Sequence, residues 1–75
     1  MELSKREISK QIGDNIRDIR IKKGLTIENL ANESGLDYSQ ISRIELGRIN
    51  TSIYQIYKIS KTLSVALPQI FEPII

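Results

Sequence analysis

Residues 30–47, with the sequence LANESGLDYSQISRIELG, contain two short helical patterns that a glycine separates. Ala31 is small enough to let a following helix cross close to the first. Gly35 can adopt the positive φ that a tight corner between two helices requires. Asp37 can then cap a second helix that ends near Glu45. The stretch therefore predicts a helix, a short turn and another helix.

The second of these helices has two chemically different faces. Ile41 and Ile44 share one face and point toward a core, while Ser39 and Arg43 point away from it. A helix that is held by its inner side and polar on its outer side can enter the major groove of DNA, which is about 12 Å wide. The outer face is therefore the first candidate for a binding surface.

The rest of the chain predicts three more helices and no strand. A capping box, with Ser4 three residues before Glu7, predicts the start of a first helix, although Gly13 interrupts the pattern and favours a later start near Ile12. A fourth helix is capped by Ser52, and a short fifth one follows. Since no stretch alternates strongly enough for a strand, the expected fold is all-α with five helices.

The composition excludes several classes of function. The 75 residues include no Cys and no His, which removes disulfides, thiolate nucleophiles, imidazole bases and the common zinc ligands. We therefore expect no enzyme, no cofactor and no metal site. No apolar run approaches the roughly 20 residues of a membrane span, and the charged start is unlike a signal peptide, so the expected location is the cytoplasm. A net charge of +2 allows a polyanionic partner without requiring one.

The chain resembles a known family of DNA-binding domains. The resemblance lies in the segment IGDNIRDIRIKKGLTIENLANESGLDYSQISRIELG and continues through INTSIYQIYKISKTLSVALPQIF, so that it covers residues 12–71. These stretches are similar to the lambda-Cro and repressor superfamily, also called the XRE-type helix-turn-helix family. The residues at the family's spacings are Arg20, Gly24, Leu25, Leu30, Ala31, Gly35, Ile41, Ser42, Ile44, Glu45 and Gly47.

The resemblance implies which side chains would meet double-stranded DNA. Base edges would be read early in the third helix and one turn later, by Tyr38, Ser39 and Arg43. Arg43 is the best candidate for direct readout, because a guanidinium can bond O6 and N7 of guanine together. The phosphate contacts would be made by Gln40, Arg48 and Asn50.

Alternative interpretations of these residues stay open. Tyr38 can pack over the turn, Ser39 can contact a phosphate, and Arg43 can be an ordinary solvated residue. A basic arm along DNA is one interpretation of three further cations, although the capping box favours a solvated helix face for them: Lys5, Arg6 and Lys10.

Arg20 and Glu45 lie near the apolar faces of their helices, where a charge needs a partner. The resemblance implies that they form an ion pair between the first and third helices. The chain departs from the family at the start of the second helix, where many relatives carry a glutamine that binds a phosphate and this chain carries Ile27. Either that phosphate contact is absent, or Ile27 packs against the core.

The apolar end of the chain and the resemblance together predict a homodimer. Relatives bury the positions that match Val65, Leu67 and Phe71, which leaves an expected surface patch and interface of Tyr57, Ile70, Ile74 and Ile75. Two-fold pairing would place two recognition helices about 34–36 Å apart, one turn of DNA. The expected single domain covers residues 1–75, with an N-terminal extension over 1–11 and a C-terminal dimerisation segment over 67–75.

The expected function is sequence-specific binding of double-stranded DNA by a transcriptional regulator, a dimeric repressor of a pseudo-palindromic operator. The alternative is a protein-binding adaptor or antitoxin-like module that uses the same fold. The near-neutral charge and Ile27 favour this alternative, whereas Arg43, Arg48 and Asn50 oppose it. A toxin or polymerase is the partner protein that either function allows, and no membrane partner is expected.

Overall fold

The computed structural model describes residues 2–73, which form five helices in chain order. They are α1 (Lys5–Lys22), α2 (Ile27–Ser34), α3 (Tyr38–Glu45), α4 (Ile53–Leu63) and α5 (Leu67–Ile70). Between residues 2 and 73 there is no β-strand. The expected all-α, five-helix fold is therefore confirmed. None of the described helices is long and apolar enough to cross a membrane.

The first helix begins at its capping box. The Ser4 hydroxyl accepts a hydrogen bond from the Glu7 backbone N–H at 3.1 Å, and the Ser4 N–H donates to the Glu7 carboxylate at 3.0 Å. These two bonds satisfy donors that a helix start leaves free, so α1 begins at Lys5. The later start near Ile12 is wrong. Most of the expected N-terminal extension is the first part of α1.

Gly13 does not end α1, because α3 packs against it. A Cβ atom at Gly13 would lie 2.3 Å from the carbonyl oxygen of Ile44 and 2.7 Å from that of Glu45. Glycine thus lets the backbones of the two helices approach more closely than any side chain would permit. The helix-propensity cost of a glycine, about 1 kcal/mol, is offset by this contact.

Gly47 makes a second close contact between the same two parts of the chain. It follows α3 with a φ of 71°, and a Cβ atom there would lie 2.7 Å from the Cα of Lys10. Gly13 and Gly47 therefore seat the end of α3 against the N-terminal half of α1.

A single cluster of buried aliphatic side chains holds the helices together. Its members are Ile16, Leu30, Ala31, Ile41, Ile44, Ile56, Ile59, Leu63 and Ile70. The helix-turn-helix is built as the sequence predicts, since Ala31 is 4% exposed and Gly35 ends α2 with a φ of 77°. Ile27 is half-buried and packs against this core, as the second of the two alternatives for it predicts.

The C-terminal part of the chain corrects one expectation. Ile70 is 0% exposed, so it is a core residue, and its placement on the surface of a monomer is wrong. The reason is that α5 packs against both α1 and α4, so that Ile70 joins the core. A clamp from α1 holds this segment, since the Asn15 amide donates to the backbone carbonyls of Ile70, at 2.7 Å, and of Glu72. Gln11 in turn donates to the Asn15 side-chain oxygen at 3.1 Å.

The remaining members of the expected interface have separate outcomes. Tyr57 is 47% exposed and stays a candidate. Ile74 and Ile75 lie outside the described residues, and the expectation for them stays a prediction.

We predict that Gly13→Ala destabilises the protein. In an ordinary helix interior this change adds about 1 kcal/mol of stability, but here the new methyl group must displace α3 and should cost about 1–3 kcal/mol. Thermal denaturation followed by circular dichroism measures the difference. Asp18→Ala, at an exposed position of the same helix, is the control and should change stability by less than about 0.5 kcal/mol. A Gly13→Ala variant that melts at or above the wild-type temperature would contradict the close contact.

Candidate nucleic-acid interface

The outer face of α3 is exposed while its inner face is completely buried. Ile41 and Ile44 are 0% and 2% exposed, whereas Tyr38 is 56% exposed and Ser39 and Arg43 are also exposed. The structure thus brings the three expected base-reading residues together on one surface. More than half of Tyr38 is accessible to solvent, so its ring remains available for contact with a partner.

The expected phosphate-contacting residues occupy two places. Gln40 is half-buried on α3, whereas Arg48 and Asn50 are exposed in the loop between α3 and α4. The loop is folded back on the helix, because the Arg48 N–H donates to the Arg43 carbonyl at 2.9 Å and the Gly47 N–H donates to that of Ile44 at 3.0 Å. Arg48 is therefore held immediately beside the end of α3.

Arg20 and Glu45 form a buried, two-pronged ion pair between α1 and α3. Arg20 donates from Nε to Glu45 Oε2 at 2.7 Å and from Nη2 to Oε1 at 3.0 Å. A third guanidinium donor, Nη1, bonds the Leu25 carbonyl at 2.8 Å. The residues are 8% and 4% exposed, so both charges are compensated by protein groups.

The position of Glu45 makes this pair necessary. A carboxylate at the C-terminus of a helix faces the negative end of the helix dipole, and it is also removed from water here. The guanidinium of Arg20 offsets both penalties. The pair therefore fixes the last turn of the exposed helix to α1.

The start of α2 has a capping box, which is not among the features predicted above from the sequence. The Thr26 hydroxyl accepts from the Asn29 N–H at 3.0 Å, and the Asn29 side-chain oxygen accepts from the Thr26 N–H at 3.1 Å. This is a capping box with Asn in place of the usual Glu or Gln. The spacing of Thr26 and Asn29 was the available signal.

Two other features of the structure go beyond the favoured interpretation of the local sequence. Asn15 reads as an ordinary polar helix residue, although it clamps the chain 55 positions later. Lys5, Arg6 and Lys10 read as a solvated face, although they line one cleft with Arg48 and Asn50. Both features depend on which distant segments the fold brings together.

An exposed apolar and aromatic patch lies at the start of α4. Ile53 is 69% exposed, Tyr54 is 67% exposed and Tyr57 is 47% exposed. The Lys58 ammonium lies 5.5 Å from the centre of the Tyr54 ring, which is within cation–π range. We call the exposed residues Ile53, Tyr54 and Tyr57 the α4 patch.

A family model described as "Helix-turn-helix" matches residues 16–70, which includes α2, α3 and the turn between them. The chain belongs to the helix-turn-helix family. The resemblance to XRE-type domains is thereby confirmed. This is a family of DNA-binding transcription regulators and not a class of enzymes.

The chain is similar to a regulator from Bacillus subtilis and to two solved structures. It is 44% identical over 62 residues to the HTH-type transcriptional regulator SlrR of B. subtilis strain 168, covering 81% of this chain but 41% of SlrR. The chain therefore spans less than half of that relative.

Two of the similar solved structures are controllers of restriction–modification systems. C.AhdI of Aeromonas hydrophila is 35% identical with a TM-score of 0.82, over 84% of this chain and 96% of that one. C.Esp1396I, solved as a tetramer with its natural 35-base-pair operator, is 37% identical with a TM-score of 0.79, over 87% and 86% of the two chains.

We predict that Glu45→Ala is strongly destabilising, because it leaves the Arg20 guanidinium buried without its counter-charge. Loss of one partner of a buried pair costs about 3–5 kcal/mol, which is comparable to the whole stability of a domain of this size. Urea denaturation measures the loss. Glu33→Ala, at an exposed position of α2, is the matched control.

The double variant Arg20→Leu/Glu45→Leu tests the same explanation, since it removes both charges and fills the space. It should be more stable than Glu45→Ala. Equal stability of Glu45→Ala and Glu33→Ala would rule out a structural role for the pair.

Proposed function

We propose that this protein is a sequence-specific regulator that binds double-stranded DNA by placing the outer face of α3 in the major groove. One observation carries the proposal: a polar, exposed helix face with a fully buried inner face, locked to α1 by the Arg20–Glu45 pair. Major-groove recognition needs such a rigid helix with free side chains on one side. The operator complex of the similar controller C.Esp1396I supports the same class of partner.

In this proposal the residues divide into readers and anchors. Arg43 reads a guanine through two hydrogen bonds, and Tyr38 and Ser39 contact bases at the start of α3. Arg48 and Asn50 hold phosphates from the loop, and Gln40 does so from the flank of α3. Phosphate contacts fix the register, and the base contacts then supply the specificity.

Ile27 favours recognition by a dimer over recognition by a monomer. Because its side chain packs against the core, it supplies no polar contact to DNA at the start of α2. Each monomer then has fewer phosphate contacts, and a second half-site compensates for the lower affinity.

We further propose that two copies pair and repress transcription by covering a pseudo-palindromic operator. Ile70 is removed from the interface, since it is buried within the monomer. Tyr57 remains, and the neighbouring Ile53 and Tyr54 extend the accessible apolar surface. Exposed apolar and aromatic side chains of this kind are enriched at protein interfaces.

A second candidate function is supported by the same α4 patch. A protein-binding adaptor would use these side chains to hold a different protein and would not need the outer face of α3. The dependence of DNA binding on salt distinguishes the two. For a DNA-binding regulator the logarithm of the affinity falls linearly with the logarithm of the salt concentration. An adaptor shows no binding that discriminates between sequences.

We predict different effects of Arg43→Ala and Arg48→Ala on DNA binding. Selection from a random duplex pool with purified protein first provides a preferred sequence. Arg43→Ala should then cost about 1–3 kcal/mol and relax the preference at one base position. Arg48→Ala should weaken selected and scrambled duplexes alike and reduce the salt slope by about one unit.

Titrations of both duplexes at several salt concentrations measure these effects, with Arg17→Ala on the exposed surface of α1 as the control. Unchanged discrimination in Arg43→Ala would show that another residue reads the sequence.

We predict that the wild-type protein is a homodimer at micromolar concentration and that Tyr57→Glu separates it. A charge on the α4 patch should oppose pairing without disturbing the core, because Tyr57 is already 47% exposed. Sedimentation equilibrium without DNA measures the mass, and Lys61→Glu at an exposed position of α4 is the control. A wild-type mass of 8.6 kDa at high micromolar concentration would exclude a dimer in free solution. Ile70→Glu is unsuitable, since it would put a charge into the core.

A further inference from the structure

A cleft between the first turns of α1 and the loop after α3 is strongly positive. It has a volume of about 700 Å³. Four of its lining residues are cations, with Lys5, Arg6 and Lys10 on α1 and Arg48 on the loop. Asn50 adds an uncharged hydrogen-bonding side chain. None of the described residues that line the cleft is acidic.

The positive charge of the protein is concentrated in this cleft. The whole chain has a formal charge of +2, so the four cations of the cleft leave −2 for all other residues together. A weakly charged protein thus presents one strongly cationic surface. The small net charge therefore does not argue against a polyanionic partner.

The acidic residues in the first half of α1 do not line this cleft. Glu7 and Asp14 line an adjacent groove, and Arg6 and Lys10 lie between the two because they line both. The hydrogen bonds from the Ser4 backbone and hydroxyl lower the pKa of Glu7, because they stabilise its carboxylate form. Asp14 forms an exposed ion pair with Lys10, so Lys10 contributes less free charge to the cleft than its neighbours.

The two sides of the cleft are held as one rigid unit. The backbone at Gly47 lies so close to Lys10 that a Cβ atom would stand 2.7 Å from the Lys10 Cα. Arg48 follows directly and is bonded back to the Arg43 carbonyl. The α1 backbone that carries these cations is therefore held directly against the end of α3 and the start of the loop.

We propose that this cleft binds the sugar-phosphate backbone of DNA next to the bases that α3 reads. The inference rests on the proposed function and deepens it, because it assigns α1 a sequence-independent anchoring role. Lys5 and Lys10 are five residues apart, about 7.5 Å along the helix axis. Successive phosphates of one strand rise by about 3.4 Å along the DNA axis and are farther apart in space, so the two cations are far enough apart to contact neighbouring phosphates. Neutralising these phosphates releases counterions and raises affinity for every sequence equally.

A pair of charge-matched double variants tests the proposal. Lys5→Gln/Arg6→Gln removes two cations from the cleft, and Lys22→Gln/Lys23→Gln removes two exposed cations from the other end of α1. Glutamine has nearly the same helix propensity as lysine and arginine, so both variants should keep the wild-type fold. Circular dichroism melting checks this, and titrations use the duplex selected from a random pool and its scrambled counterpart.

The cleft variant should lower the slope of log affinity against log salt by about 1–2 units, since each lost phosphate contact removes about 0.9. Both duplexes should lose roughly tenfold or more in affinity, with their ratio unchanged. The control variant should keep a nearly wild-type slope.

Three results would overturn the proposal, and they differ in what else they affect. If the cleft variant and the control variant reduce the salt slope equally, the reduction comes from long-range electrostatics. The cleft then does not contact DNA, while the proposed function stands. Polyglutamate can be compared with unlabelled duplex as a competitor for the labelled duplex bound to the wild type. If the two compete equally well at equal charge concentration, the occupant of the cleft is an acidic protein segment. If the wild type binds no duplex from the pool, this inference and the proposed function fail together.

Discussion

The ion pair between Arg20 and Glu45 is the interaction on which the exposed surface depends. Two charges buried together are tolerated when additional hydrogen bonds support the pair, and with the Leu25 carbonyl each of the three guanidinium nitrogens has a hydrogen-bond partner. The pair has directional geometry that apolar packing lacks. It fixes the rotation of α3 about its own axis, and the glycine at position 13 fixes its distance from α1. With rotation and distance both set, the outer face of α3 has one orientation.

The same junction connects two surfaces that would otherwise be independent. Residues that follow α3 lie against the first turns of α1, so the loop carrying Arg48 and the α1 cations share one rigid support. The cleft that would contact the DNA backbone and the helix that would contact the base pairs are therefore parts of one rigid body. Binding then requires little ordering of the protein, which reduces the entropic cost of recognition.

Local patterns in the sequence were sufficient for the helices and for the face of α3, because caps and apolar periodicity depend on residues within one or two turns. Ser4, Gly35 and Ile41 are examples. Long-range contacts were not predictable in this way. Gly13 looked like a helix breaker because its partner carbonyls lie about 30 positions later in the chain. Ile70 has the local pattern of a surface residue because its burial depends on the packing of α5 against α1 and α4, and the Asn15 side chain that clamps this segment has no distinctive local pattern either.

The separation of inner and outer residues on α3 has an evolutionary consequence. Ile41, Ile44 and Glu45 maintain the fold, whereas the exposed Ser39 and Arg43 belong to the polar outer face. Substitutions on the outer face therefore have little thermodynamic penalty, as is usual for surface positions. If that face reads DNA as proposed, a lineage could acquire a new operator preference by a few such substitutions. The scaffold would remain intact at every intermediate step, so diversification of specificity would not pass through unfolded proteins.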